Sequence, residues 1–244
     1  MLTRRSLLTT GTTGALSLAS AAAAAAPATR ILVVTGGHAF DPSFFDLFRA
    51  RPDWKWDHRQ HEPKSSSTAY AKEFAADYDV VVLYDFLQRI SEIEQRHFLQ
   101  IFERGKGLII LHHALCNYET WETYHQITGM RLRNKEEGAL PKMIWKHDVH
   151  FRLERVDTPH PVLEGVPSFP VFDETYGNLF LGNGNQVLLT TADPTSSPIV
   201  AWARTHGASR VVAIQPGHGP QIFADAHYRK LLGNAVRWVA RFTS

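Results

Sequence analysis

The stretch DYDVVVLYDFLQRISEIEQRHFLQIFERGKGLIILHH, residues 77–113, decides the fold. Asp79 to Tyr84 (DVVVLY) is a β-branched and aliphatic run with no polar alternation, which predicts a strand buried on both faces. Ser91-Glu92-Ile93-Glu94 predicts a capping box, in which the Ser91 hydroxyl accepts from the Glu94 amide and the Glu94 carboxylate reaches back. Ile93, Phe98, Ile101 and Phe102 then recur at helical spacing, and Gly105 is a suitable stop. Gly107 to Leu111 (GLIIL) is a second apolar run, followed at once by His112 and His113. Strand, helix and strand with short joints describe a βαβ unit with a right-handed crossover.

The flanking sequence extends this unit. Arg30 to Thr35 (RILVVT), ending in Gly36-Gly37, reads as another parallel strand, Pro42 to Arg49 as a helix, Trp54 to His58 as a strand and Pro63 to Thr68 as a polar loop. Further along, Val149, Phe151 and Leu153 alternate with His150, Arg152 and Glu154, the pattern of a half-exposed antiparallel strand. Gln186–Thr191, Pro198–Ala203 and Arg210–Gln215 are three more strand candidates joined by short, turn-rich segments. A helix over about Asp225–Arg241 closes the chain, with Leu231, Leu232, Ala235, Val236 and Val239 in one stripe. The expected class is α/β: three layers, a mostly parallel central sheet with helices on both faces, and an antiparallel extension.

Residues 1–26 read as a leader, not as part of the fold. Thr3-Arg4-Arg5-Ser6-Leu7-Leu8 is a twin-arginine start, the following stretch is uncharged, and Ala21–Ala26 offers small-residue cleavage sites. The expectation is export to the periplasm or beyond, with residues 27–244 as one domain and no stable membrane span once the leader is removed. The formal charge of +2 falls to 0 without Arg4 and Arg5, and no basic stripe argues for nucleic acid. The single cysteine, Cys116, excludes an intrachain disulfide, so the core carries the fold unaided. Thirteen histidines is a high count, and imidazole is the side chain for metal ligation and proton transfer near neutral pH.

Ligands of open α/β sheets bind beyond the carboxyl ends of strands. His38 follows the first apolar run through two glycines, His112 and His113 follow Gly107–Leu111, and His218 follows Arg210–Gln215 within Pro216-Gly217-His218-Gly219. These histidines are therefore expected on one rim, although any one of them alone suits a hydrogen-bonded loop residue. Gly36, Gly37, Gly217 and Gly219 are candidates for letting backbone approach a ligand. Asp173-Glu174-Thr175-Tyr176 follows the apolar Phe169–Phe172. Adjacent side chains of an extended segment point opposite ways, and of the two acids Glu174 is the one expected to face the pocket.

The order of these segments resembles the class I glutamine amidotransferase-like, flavodoxin-like fold. In amidotransferases the turn after the Gly107–Leu111 equivalent presents a cysteine nucleophile. Here His112 stands there, Cys116 lies too far along, and Pro216-Gly217-His218-Gly219 occupies the late histidine–glutamate position. The resemblance therefore does not extend to glutamine amidotransferase activity. The chain is more specifically similar to the ThuA-like, trehalose-utilisation family: His112, Trp121, Tyr124 and Gly129 match one set, and His160-Pro161, Asp173-Glu174-Thr175-Tyr176, Gly217-His218 and Trp238 match others. His38 and Asp41 match an early pair. His113 departs from the pattern, taking a position that is commonly a small residue.

The resemblance implies work on carbohydrate, a disaccharide or 3-keto-glycoside, and the residues themselves suggest hydrolysis, elimination or isomerisation. Two designs fit. A divalent metal, zinc or manganese, sits among His38, His112, His113 and His218, with Glu174 as a further ligand; or Glu174 and a histidine act as base and acid without metal. His112, Glu174 and His218 are the candidate catalytic residues. His38, Asp41, Trp121, Tyr124, Asp173 and Tyr176 are the candidate substrate contacts, although Trp121 and Tyr124, three apart, also suit anchoring a helix. A non-catalytic sugar- or metal-binding module is the alternative, and self-association is left open.

Overall fold

The computed structural model describes residues 28–49, 51–62, 69–135 and 141–240. The leader read at residues 1–26 and the polar loop at 63–68 lie outside them. Among the described residues eleven strands form: β1 (Thr29–Gly36), β2 (Trp54–Gln60), β3 (Val80–Asp85), β4 (Gly107–Leu111), β5 (Met130–Arg131), β6 (Ile144–Arg155), β7 (Phe169–Gly177), β8 (Phe180–Leu181), β9 (Gln186–Thr190), β10 (Ile199–His206) and β11 (Ser209–Ile214). The helices are α1 (Asp46–Arg49), α2 (Glu92–Glu103), α3 (Glu122–Thr128), α4 (Pro220–Ala224) and α5 (Ala226–Val239).

Nine strands make one sheet in the order β2-β1-β3-β4-β11-β10-β9-β6-β7, while β5 and β8 pair separately. The five from β2 to β11 are mutually parallel. From β11 outward every pairing is antiparallel. Counting the reversals, β7 runs in the same direction as β11, so its carboxyl end meets the rim where β1, β3, β4 and β11 end.

Burial on both faces explains the apolar runs. Ile31 and Val33 of β1 and Ile109 and Leu111 of β4 join the core layer that holds Phe44, Phe223 and the α5 residues Leu231, Leu232 and Val236. Their neighbours Leu32, Val34, Leu108 and Ile110 join the opposite layer with Phe98, Ile101 and Phe102 of α2 and Tyr124 and Ile127 of α3. Helices α1, α4 and α5 thus cover one face, and α2 and α3 the other.

Two expectations are adjusted. Asp173–Tyr176, read as an extended segment following Phe169–Phe172, continues that strand as the carboxyl half of β7. The terminal helix begins at Ala226, because the Asp225 carboxylate accepts from the amides of His227 and Tyr228 and so caps it. The expected capping box of α2 forms, with the Ser91 hydroxyl accepting from the Glu94 amide and the Glu94 carboxylate accepting from the Ser91 amide. No helix among the described residues is long and apolar enough to cross a membrane.

Ser91→Ala removes one arm of that box and is expected to cost about 1 kcal/mol, lowering Tm by about 2–4 °C. Thermal unfolding followed by circular dichroism checks this, and an unchanged Tm would show that α2 is held by its buried face alone.

Candidate functional site

The site starts at the end of β4. His112 has a φ of 51°, a left-handed conformation that an imidazole-bearing residue adopts only where its surroundings fix it. Those surroundings are specific. His112 Nδ1 lies 2.8 Å from the carbonyl oxygen of Gln215, just past β11. A carbonyl has no proton to give, so Nδ1 carries it and Nε2 is left to face the rim.

Three groups converge on that Nε2. Glu174 Oε2 lies at 2.9 Å, His218 Nδ1 at 3.2 Å and the Tyr176 hydroxyl at 3.0 Å. His218 Nδ1 is in turn 3.0 Å from Glu174 Oε2, and the Tyr176 hydroxyl donates to the same oxygen at 3.2 Å. His112 is completely buried and Glu174 nearly so, whereas His218 is half-buried. Burial pushes the Glu174 carboxyl up, but hydrogen bonds from His112, whenever its Nε2 also carries a proton, and from His218, with their charge, outweigh it and hold the group well below the usual carboxylate range. The hydrogen bond to Glu174 raises His218, against the effect of burial.

The loop carrying His218 is pinned from beneath. Asp173 Oδ2 accepts from the Gly217 amide and Oδ1 from the His218 amide, at 2.5 and 2.9 Å. The Gln215 side-chain amide donates to the Glu174 carbonyl at 3.0 Å. Gly217 has a φ of +149°, and a Cβ there would press against the Tyr228 hydroxyl and His112 Cβ. Gly37 also serves close packing within the protein: at its φ of +72°, a Cβ would overlap the Phe86 carbonyl oxygen.

The expected gathering of histidines occurs. Ring centroids run His38–His113 4.9 Å, His113–His112 5.3 Å and His112–His218 5.3 Å. Their nitrogens do not form one ligand set, however. Among the described residues, the cluster with ligand atoms close enough to share an ion is His112, Glu174 and His218. His38 is exposed, and its Nδ1 bonds to the adjacent Ala39 carbonyl. His113 is buried on the other side of the elbow beside Tyr84, with ring centroids 4.3 Å apart. Burial, then the neighbouring His112 and His38, push its pKa down to about 2.

Other expectations move. Tyr124 is completely buried, and its hydroxyl donates to the Ala114 carbonyl, while Trp121 stacks on Tyr124 and meets Phe98 edge-on. Both anchor the segment after the elbow and stand apart from the cleft. Asp41 caps the short turn at Pro42–Phe45 through the Ser43 amide and is exposed. Asp173 is a brace for the His218 loop. Cys116 is buried 3.4 Å from Met143 Sδ, and burial pushes its thiol up, away from thiolate chemistry.

The structure also adds groups. A β-bulge between Lys146 and Val149 inserts one residue into β6, and His147 beside it reaches Glu174 Oε1 at 3.4 Å. Bulges re-aim side chains in this way, and residue alternation alone does not reveal them. Behind the elbow, the fully buried Asp85 accepts from Asn117 at 2.7 Å and from His61 at 2.9 Å, tying the end of β3 to the segment after β4. Over the whole opens a cleft of about 430 Å³, lined by His38, Phe86, His113, Trp145, Glu174 and Tyr176 among others. That volume suits a small organic ligand.

Comparison with known proteins agrees with this architecture. A crystal structure of a ThuA-like protein from Parabacteroides merdae superposes with a TM-score of 0.75 at 18% identity, covering 88% of this chain and 90% of that one. A ThuA-like protein from Bacteroides uniformis gives 0.67 at 21%, covering 90% and 94%. A glutamine amidotransferase from Thermotoga maritima gives 0.52 at 12%, covering 87% and 98%. No curated protein matches by sequence. Residues 30–239 match the ThuA family, described as trehalose utilisation, and the chain belongs to that family.

Proposed function

We propose that this chain acts on a carbohydrate, a disaccharide or 3-keto-glycoside, at the rim cleft, and that His112, Glu174 and His218 hold a divalent ion such as zinc or manganese. The observation that carries this reading is the fixed tautomer of His112: with Nδ1 committed to Gln215, Nε2 offers a lone pair toward Glu174 Oε2 and His218 Nδ1. Mutual separations of 2.9, 3.0 and 3.2 Å suit donor atoms about 2.0–2.2 Å from a shared ion. Two imidazoles and one carboxylate are also a fitting donor set for such ions. When bound, the ion supplies Lewis acidity toward a sugar carbonyl or water.

The chain's own groups do the rest. Tyr176 directs its hydroxyl at the Glu174–His112 pair and is placed to donate to a substrate oxygen. His147, half-exposed at the mouth, can take or return a proton. Asp173 fixes the orientation of His218 through two backbone amides. These roles suit hydrolysis, elimination or isomerisation. The direct His218–Glu174 contact also favours a metal-free second design, in which this pair is the acid and base. The twin-arginine leader read at residues 1–26 supports placing the activity in the periplasm or cell exterior.

Elemental analysis of protein folded in the cell is expected to find about one divalent ion per chain, lost in His112→Ala and His218→Ala. Turnover of 3-keto-trehalose is expected to fall at least a hundredfold in each. Full turnover without metal would favour the acid–base design. Tight sugar binding without turnover, unchanged in Glu174→Gln, would favour a binding module.

A second prediction concerns pH in the presence of chelator. Glu174 has a lowered pKa, so its contribution is complete above its ordinary value of 4.5 and is lost as pH falls. His218 has a raised pKa, so its contribution is complete below 6.5 and is lost as pH rises. The Tm difference between wild type and Glu174→Gln is therefore expected to peak between pH 4.5 and 6.5 and to shrink on both sides. A difference independent of pH would rule out the ion pair.

A further inference from the structure

His113 has no role in the ligand set, yet it is the most anomalous side chain of the cleft. It is 3% exposed, and neither ring nitrogen makes a well-formed hydrogen bond, the backbone of Asp85 being a weak partner at most. Among the described residues, it is the one cleft-lining side chain with two such atoms. A buried polar group left unsatisfied destabilises a fold and calls for an explanation such as a ligand. The side chains packed on it supply none: Tyr84 packs at 4.3 Å, Phe86 at 6.4 Å and the His38 ring at 4.9 Å between centroids. The Tyr84 hydroxyl is already committed to the Gly217 carbonyl.

We propose that His113, with His38 beside it, forms a hydrogen-bonding subsite for a hydroxyl or carbonyl group of an uncharged polyol ring, adjoining the His112–Glu174–His218 centre. The proposal rests on the carbohydrate reading of the cleft and names what that cleft selects. An imidazole buried without a counterion is neutral and presents one N–H and one lone pair. A sugar hydroxyl, which both donates and accepts, matches either nitrogen. A carboxylate or phosphate matches only one, and it would face the Glu174 carboxylate with no lysine or arginine among the described residues of the lining to offset it. The opposite wall suits the same ligand. Trp145 is 60% exposed on β6, and its ring lines the cleft with Phe86 and Met143, offering aromatic faces to sugar C–H groups.

The arrangement predicts opposite effects on stability and on binding. His113→Leu keeps much of the bulk and removes both unsatisfied nitrogens. Without ligand, its Tm is expected to rise by about 2–4 °C. Its affinity for trehalose and for 3-keto-trehalose, measured by calorimetry, is expected to fall about tenfold or more. Metal content is expected to stay at the wild-type level, because His113 lies outside the ligand set. His113→Asn, which restores a donor and an acceptor, is expected to recover part of the affinity.

A His113→Leu variant that binds both sugars as tightly as wild type overturns the subsite and leaves the carbohydrate reading standing. A lowered Tm together with unchanged affinity would make His113 a packing residue. Wild-type protein that binds neither sugar overturns both readings.

Discussion

The hydrogen bond from His112 Nδ1 to the Gln215 carbonyl is the constraint on which the site depends. It joins the ends of two adjacent parallel strands, β4 and β11. It settles which nitrogen faces outward, and it holds His112 in a left-handed conformation that has no support of its own. Glu174 and His218 are placed relative to that nitrogen, and each is secured through the same neighbourhood. Gln215 donates to the Glu174 carbonyl, and Asp173, next to Glu174, accepts from the His218 amide. A polar network in which members orient one another loses more than a pairwise contact when one is removed.

The fold was largely legible because its strands lie buried between two helical layers. Uninterrupted apolar runs at β1, β3, β4 and β11 mark a sheet covered on both faces, and the capping box at Ser91 marks the start of α2. The rim was legible for the same reason, since strand direction determines which residues end up together. Ligand geometry was not. His112 and His113 are equivalent in sequence, and only the positive φ at His112 sends one toward Glu174 and the other toward Tyr84. His147 was hidden by a bulge that breaks the alternation of β6. The motif makes Trp121 and Tyr124 candidates both for substrate contact and for anchoring a helix, and only packing separates the two: Tyr124 is fully buried with Trp121 stacked on it, which anchors the segment after β4.

Two kinds of buried polar group surround the elbow, and the contrast between them is informative. Asp85, with His61, Asn117 and Tyr118, is internally satisfied: each carboxylate oxygen has a donor within the fold. Such a group rigidifies the structure and needs no visitor. His113, beside the Asp85 backbone, has the opposite character. Random drift toward an unpaired polar group is opposed by its cost to stability. A chain that satisfies Asp85 so fully and leaves His113 empty-handed is built to complete its hydrogen bonding from outside.

The same sheet edge carries different chemistry when one residue at the elbow changes. A thiol there is a nucleophile, and its reactivity depends on becoming a thiolate. The imidazole of His112 has its free nitrogen directed at a carboxylate and a second imidazole, an arrangement for gripping an ion or passing a proton. The chain's one cysteine is withdrawn four residues further on, into the core beside Met143. What is shared with a glutamine amidotransferase from Thermotoga maritima is the fold, and chemistry has to be argued from the side chains on the rim.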